Sequence, residues 1–256
     1  MPLAAVNRAR YDLADDALVE RTRVQLTAEG VCVLPEFLDD ETVRTMVGEC
    51  NQLATRAHRS APRRNPFLTK VDSSENAPAA IELYDSLEVL AYDQFPSSSR
   101  LRLLYEDDEL LDFVRRCLGL EELFRYADPF GALNVSIMRD GDVLDWHFDM
   151  TDFVVSIALQ SSESGGDFEN APRIRDSGDD AISSLLGGDR RLVRVEPMRP
   201  GTLMLFNGRR SMHRVTPIRG RTPRYVALLA YDTKPGTDST DELKMSRYGR
   251  LPASRT

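Results

Sequence analysis

The segment PGTLMLFNGRRSMHRVTPIRGRTPRYVALLAY, residues 200–231, carries the strongest fold signal in the chain. Two short apolar runs, 202–206 and 225–231, are rich in strand-favouring residues and are bounded by segments that contain glycine and proline. Runs of the same kind lie at 132–138, 153–160 and 192–196. Several short strands in close succession predict a sandwich or barrel in the C-terminal half.

The N-terminal half has the pattern of helices. Apolar positions among charges predict a helix over 15–29 that ends at Gly30, and a strand at 31–34 follows. Asp39 or Asp40 is expected to cap a second helix that runs to about His58. Further helices are predicted near 80–92, 107–118 and 179–186. Helices followed by antiparallel strands indicate the α+β fold class.

Residues 59–80 fit neither pattern. Three prolines lie there among Ser, Asn and Arg, and hydrophobic periodicity is weak. We predict a long loop, and two interpretations are open: a lid that binds substrate, or a mobile connector. As a lid, it could bind a substrate carboxylate through Arg59, Arg63 and Arg64.

The chain shows no internal repeat or obvious linker, so we expect one domain over 1–256. Its expected parts are helical support and lid over about 1–125, a strand core over about 126–235, and a tail over 236–256.

The composition excludes several classes of protein. With 33 basic and 41 acidic side chains the net charge is −8, which disfavours binding to nucleic acid or to an anionic membrane. No apolar run reaches the ~18–20 residues of a membrane span, and residues 1–16 lack the layout of a signal peptide. The three cysteines, 32, 50 and 117, form no CxxC pair, so we expect a reducing, cytoplasmic setting.

Two of the three histidines suggest a metal site. If residues 146–149, Trp-His-Phe-Asp, form a strand, His147 and Asp149 leave it on the same face, and Trp146 packs behind them. His213, 66 residues later, can supply a third ligand. Two histidines and one carboxylate form the facial triad of non-haem Fe(II) oxygenases. Each motif alone is more often structural than metal-binding, and the third histidine, His58, is expected on the surface of its helix.

Arg224 strengthens the metal hypothesis. It directly precedes the apolar run 225–231. A buried guanidinium at the end of a strand can bind a carboxylate in a bidentate manner. Residues 199–224 contain seven arginines and no acidic residue, whereas residues 140–152 contain five aspartates. Most of those arginines are expected to be solvated, and only Arg224 is assigned a role.

The combined pattern resembles the Fe(II)/2-oxoglutarate-dependent dioxygenases. The resemblance rests on His147-x-Asp149, His213 and Arg224, and on the segments 29–38, 165–169 and 200–206. It implies a double-stranded β-helix, or jelly roll, with N-terminal helices packed on it. It also implies that His147, Asp149 and His213 hold Fe(II) and that O2 is a co-substrate.

The same resemblance implies a site for 2-oxoglutarate. Its distal carboxylate would pair with Arg224, aided by a hydroxyl such as that of Thr151 or Ser156. Asn134 shares a strand face with Ser136 and could contact 2-oxoglutarate or substrate, although ordinary hydrogen bonding within the sheet explains both residues equally well.

A closer resemblance, through residues 146–149, 206–215 and 247–250, is to the carrier-free amino-acid halogenases and their hydroxylase relatives. In the halogenases a Gly or Ala replaces the carboxylate ligand and opens a halide position. Asp149 stands there in this chain, which favours hydroxylation over halogenation, and the resemblance implies a small polar substrate such as a free amino acid or a natural-product intermediate. We expect the protein to be a monomer or homodimer. A non-catalytic or other-metal jelly-roll binding protein and a halogenase-like oxidase remain as alternatives.

Overall fold

The computed structural model describes residues 5–69 and 78–253. The helices are α1 (Asp16–Glu29), α2 (Asp40–Leu53), α3 (Arg100–Glu106), α4 (Asp108–Cys117), α5 (Asp179–Leu186) and α6 (Asp241–Tyr248). Strands before the core are β1 (Val31–Leu34), β2 (His58–Ser60), β3 (Arg63–Arg64), β4 (Leu83–Tyr84), β5 (Leu87–Ala91) and β6 (Phe124–Arg125). Among these residues, no helix is both long and apolar enough to cross a membrane.

Eight strands form the core, and β15 (Tyr231–Asp232) follows them. The eight are β7 (Leu133–Met138), β8 (Leu144–His147), β9 (Val154–Gln160), β10 (Phe168–Ala171), β11 (Arg194–Glu196), β12 (Leu203–Phe206), β13 (Met212–Val215) and β14 (Arg224–Leu229). They divide between two antiparallel sheets, ordered β1-β12-β9-β14-β7-β5-β2 and β11-β10-β13-β8. This arrangement confirms the predicted α+β fold with a jelly-roll core.

Alternation along the strands assigns each side chain to a layer. In β14, Tyr225, Ala227 and Leu229 face outward into a core shared with helices α1–α4. The opposite, inner face of the same sheet packs on the four-stranded sheet through residues that include Met204, Phe206 and Phe168. The interior between the two sheets is therefore where inward-facing polar side chains can meet.

Several local predictions are confirmed. Helix α1 ends at Gly30, which adopts φ 73° and donates its N–H to the carbonyl of Leu26. Helix α2 begins after Asp39, whose carboxylate accepts the N–H of Thr42. The strands predicted at 31–34, 132–138, 153–160 and 202–206 are present within one residue of their expected bounds.

Two helix predictions are wrong. Residues 80–92 contain β4 and β5 instead of a helix, because the apolar run 87–91 is buried as a strand between β7 and β2. Helix α2 ends at Leu53, and His58 begins β2 with its ring against Gly249. The predicted loop 59–80 contains β3 and part of β2, and residues 70–77 of it lie outside the described residues.

Candidate metal centre

The two candidate histidine ligands are neighbours across the four-stranded sheet. His147 ends β8 and lies directly opposite His213 of β13, and their ring centroids are 4.2 Å apart. Both residues are buried, and both face the interior between the sheets. The register places side by side two residues that are 66 positions apart in sequence.

Asp149 completes the group from the turn that follows β8. Its N–H donates to the carbonyl of Gly208, 3.1 Å away, which anchors the turn. One carboxylate oxygen lies 3.2 Å from His213 Nε2, and the other lies 3.9 Å from His147 Nε2. A ligand atom from each residue lies within 4.8 Å of the others, so one cation could contact all three.

Hydrogen bonds orient both imidazoles for metal binding. His147 Nδ1 lies 2.7 Å from the carbonyl of Asp145, and His213 Nδ1 lies 3.0 Å from the carbonyl of Ser211. Because a carbonyl only accepts, each Nδ1 carries the proton and each Nε2 presents its lone pair toward Asp149. A metal-bound histidine usually donates its other ring N–H to an acceptor of this kind.

Burial keeps the site ready for a cation. Desolvation lowers the pKa of His213 to about 4, an effect that the carboxylate of Asp149 opposes and His147 reinforces. At neutral pH the His213 imidazole is therefore neutral, the form that binds metals. Two imidazole nitrogens and one carboxylate suit a divalent transition metal and match the donor set of Fe(II) oxygenases.

Arg224 begins β14 on the inner face of the larger sheet and is 7% exposed. Within the described residues it forms no ion pair, and the only opposing charge that acts on it is the exposed Asp167. Burial lowers the pKa of its guanidinium to about 10, which still leaves it charged at neutral pH. A buried cation of this kind needs an anionic partner.

Two of the predicted auxiliary residues face the same interior. Asn134 and Ser156 are both opposite Leu228 of β14, one on each neighbouring strand. The Oδ1 atom of Asn134 and the Oγ atom of Ser156 are buried, and neither has a hydrogen-bond partner among the residues that the structure describes. Thr151, by contrast, lies half-buried in the turn between β8 and β9.

The structure distinguishes among the three arginines of segment 59–80 for which a role in a lid was predicted. Arg59 is paired with the buried Asp142, and Arg63 with Glu82. The half-buried Arg64 donates to Ser246 Oγ at 3.1 Å and, within the described part of the chain, forms no ion pair.

Three neighbours of the site were missed by sequence reasoning. Gly208 packs against Asp149, Phe67 stacks on Phe148, and the buried Asp85 accepts the N–H of Asp145 at 2.9 Å. Their signals were weak because each lies in a turn or loop without periodicity. Trp146 packs outward behind the site, as predicted, with Phe148 and Met212.

A search of curated proteins finds no match to the chain. Among solved structures, an oxidoreductase of the 2OG-Fe(II) oxygenase family from Burkholderia pseudomallei is similar, with TM-score 0.55 and 16% identity over 87% of this chain and 94% of that one. The alpha-ketoglutarate-dependent epimerase SnoN of nogalamycin biosynthesis aligns with TM-score 0.58 and 15% identity over 85% and 84% of the two chains. A Pseudomonas putida prolyl-4-hydroxylase aligns with TM-score 0.53 and 15% identity over 82% and 97%.

These structural similarities agree with the predicted fold. The model of one sequence family, halogenase D (HalD), matches residues 14–247, which include the three candidate ligands and Arg224. The chain therefore belongs to the halogenase D family.

Proposed function

We propose that the chain is an Fe(II)- and 2-oxoglutarate-dependent hydroxylase that acts on an unactivated C–H bond of a small polar molecule. One observation carries the proposal: His147, Asp149 and His213 converge at one point inside a sandwich whose opposite sheet holds Arg224 without an ion-pair partner in the described residues. A metal and a dicarboxylate would satisfy both features.

Each residue has a defined task in this proposal. His147, Asp149 and His213 hold the iron, and the guanidinium of Arg224 binds the distal carboxylate of 2-oxoglutarate. Asn134 and Ser156 offer ligands in the interior polar atoms that have no partner in the described part of the chain. When bound, Fe(II) would let O2 serve as the oxidant: one oxygen atom would enter succinate as 2-oxoglutarate loses CO2, and the other would enter the substrate as the new hydroxyl group. The protein orients these components and excludes bulk water.

The substrate class is proposed from Arg64. Among the three arginines of the predicted lid, Arg64 is the one that forms no ion pair with a carboxylate in the described residues. Asp85 interacts electrostatically with both Arg64 and His147, which places Arg64 near the metal centre. A carboxylate on the substrate would neutralise Arg64 close to the metal centre. A carboxylate-bearing small molecule, such as a free amino acid or a natural-product intermediate, meets this requirement.

Halogenation is the second candidate, and the match to the halogenase D family favours it. Asp149 opposes it, because a carboxylate that binds the metal occupies the coordination position that a halide would need. Mass spectrometry of product formed in excess chloride separates the two reactions. Incorporation of one oxygen atom supports hydroxylation, and incorporation of chlorine contradicts it.

Anaerobic titration of the metal-free protein with Fe(II) and 2-oxoglutarate tests the proposal directly. We expect a weak visible charge-transfer band that requires both additions and does not require chloride. A folded protein that gives no band would contradict the dioxygenase assignment. Once the band is seen, release of succinate can be used to screen carboxylate-bearing substrates.

A further inference from the structure

Phe67, Phe148 and Arg175 form a stack on the outer side of the metal centre, which we call the aromatic clamp. The Phe67 and Phe148 rings are stacked, with centroids 5.5 Å apart and planes inclined by 17°. The Arg175 guanidinium lies 5.3 Å from the Phe67 centroid and 4.8 Å from the Phe148 centroid. Phe148 stands between His147 and Asp149, so the clamp holds the residue that joins two metal ligands.

The loop that carries Phe67 is itself held firmly. The side-chain oxygen of Asn65 accepts the N–H groups of Phe67 and Thr69, at 3.0 and 3.1 Å. Leu68 adopts φ 58°, a left-handed conformation that a non-glycine residue keeps only when its surroundings impose it. The loop also makes a backbone contact with the ligand segment, because Phe148 N–H donates to the carbonyl of Pro66 at 2.8 Å.

Arg175 connects the clamp to the segment that leads to the other histidine. Its Nη1 donates to the carbonyl of Arg209 at 2.9 Å, and its backbone N–H donates to the carbonyl of Arg210 at 3.2 Å. These carbonyls lie between Gly208, which contacts Asp149, and His213. One exposed guanidinium therefore contacts both ligand-bearing segments.

We infer that the aromatic clamp is a positioning device for the metal centre. It fixes the backbone at Phe148 against the turn before His213 and so sets the separation between the Asp149 carboxylate and the His213 imidazole. Its members do not touch the metal position, because they lie on the opposite side of the strands. The inference rests on the proposed metal centre, assigns a role to Phe148 within the ligand motif, and adds Phe67 and Arg175 from outside it.

Two substitutions test the clamp, with Co(II) as a spectroscopic probe. Arg175→Met removes the guanidinium from an exposed position, and Phe67→Leu removes a half-buried ring. We expect each variant to bind Co(II) more weakly, by up to the roughly 10–100-fold that loss of a group hydrogen-bonded to a metal ligand costs. The visible ligand-field spectrum of bound Co(II) should also shift, whereas Phe67→Tyr, which keeps the ring, should restore affinity and spectrum.

Arg102→Met is the matched control. Arg102 lies 4.6 Å from the Tyr92 centroid and donates to the carbonyl of Phe95, so it makes the same kinds of contact away from the metal centre. This variant should keep wild-type Co(II) affinity and spectrum.

Melting temperatures separate positioning from general stability. Variants of Arg175 and Phe67 that melt earlier but bind Co(II) with wild-type affinity and spectrum would overturn the inference. Wild-type protein that binds neither Co(II) nor Fe(II) would overturn the proposed function, and the positioning role with it. If the wild type binds Co(II) tightly and both variants bind it with the same affinity and spectrum as the wild type, only the positioning role of the aromatic clamp is overturned.

Discussion

Gly208 lies directly against the carboxylate of Asp149. A β-carbon at position 208 would come within 2.5 Å of Asp149 Oδ2 and within 2.8 Å of Val154 Cγ2. Backbone also joins the two residues, since Asp149 N–H donates to the Gly208 carbonyl. The absence of a side chain at position 208 thus gives the candidate ligand its place.

Gly208→Ala should therefore displace the Asp149 carboxylate and weaken metal binding by about tenfold or more, as for other changes in outer-shell support. Titration with Fe(II) or Co(II) measures the effect. Gly48→Ala is the control, because a β-carbon at this position of helix α2 would meet no atom of the described residues within 4 Å and should stabilise the fold by about 0.5–1 kcal/mol. Equal metal affinity in both variants would contradict the role of Gly208.

His213→Ala removes one of the two neutral nitrogen donors. We expect metal affinity to fall by more than about a hundredfold, beyond the range for outer-shell changes, with complete loss of turnover. The control is His58→Ala, which removes the one histidine outside the group and should bind metal as the wild type does. Retained turnover in His213→Ala would exclude it as a ligand.

Arg224→Ala removes the proposed partner of the distal 2-oxoglutarate carboxylate. Hydrogen bonds to charged groups contribute about 1.5–3 kcal/mol, so the concentration of 2-oxoglutarate needed for half-saturation should rise by roughly 10–150-fold. Fe(II) affinity without 2-oxoglutarate should stay unchanged. Arg221→Ala, which removes an exposed arginine, is the control. If the wild type, Arg224→Ala and Arg221→Ala all need the same concentration of 2-oxoglutarate, the assignment of Arg224 is refuted.

Glu196 predicts a dependence of stability on pH. Its pKa is raised, mainly by burial and also by Glu29, while Asn170 and Arg194 oppose the shift. The folded state therefore binds this proton more tightly than the unfolded state, and stability falls as pH rises from the ordinary value toward the raised one. Glu196→Gln should melt at a higher temperature than the wild type at pH 8. The difference should vanish near pH 4, and an equal difference at both pH values would contradict this account.

Much of the core could be predicted because its strands are rich in buried apolar residues. Strands β7, β9, β12 and β14 each bury one face under helices and the other between the sheets. Val, Ile, Leu and Met therefore predominate in them, while Asn134, Ser156 and Arg224 are polar exceptions on the inner face. Strands β8, β10 and β13 are short and carry polar inward residues, so their ends could not be located by pattern. The run 87–91 is ambiguous for a further reason: a short buried apolar segment fits a strand or a helix equally well.

The candidate ligands could be proposed because metal chemistry limits which residues can take part. The chain has only three histidines, and two of them, His147 and His213, combine with Asp149 into a chemically distinctive donor set. Their roles remain predictions until metal binding is measured. Phe67 and Arg175 could not be found in the same way. Their contribution depends on how the loop that carries Phe67 meets the short 3₁₀ helix Ile174–Ser177, and no local pattern encodes that contact.

Because side chains alternate along residues 146–149, packing and metal binding depend on different residues of this segment. Trp146 and Phe148 contribute to packing on the outer side, while His147 and Asp149 face the interior. A substitution at position 149 can therefore change the ligand set while leaving the outward aromatic residues in place. A change of residue at position 149 alone can therefore alter the reaction at the metal while the sheet that carries this position keeps its packing.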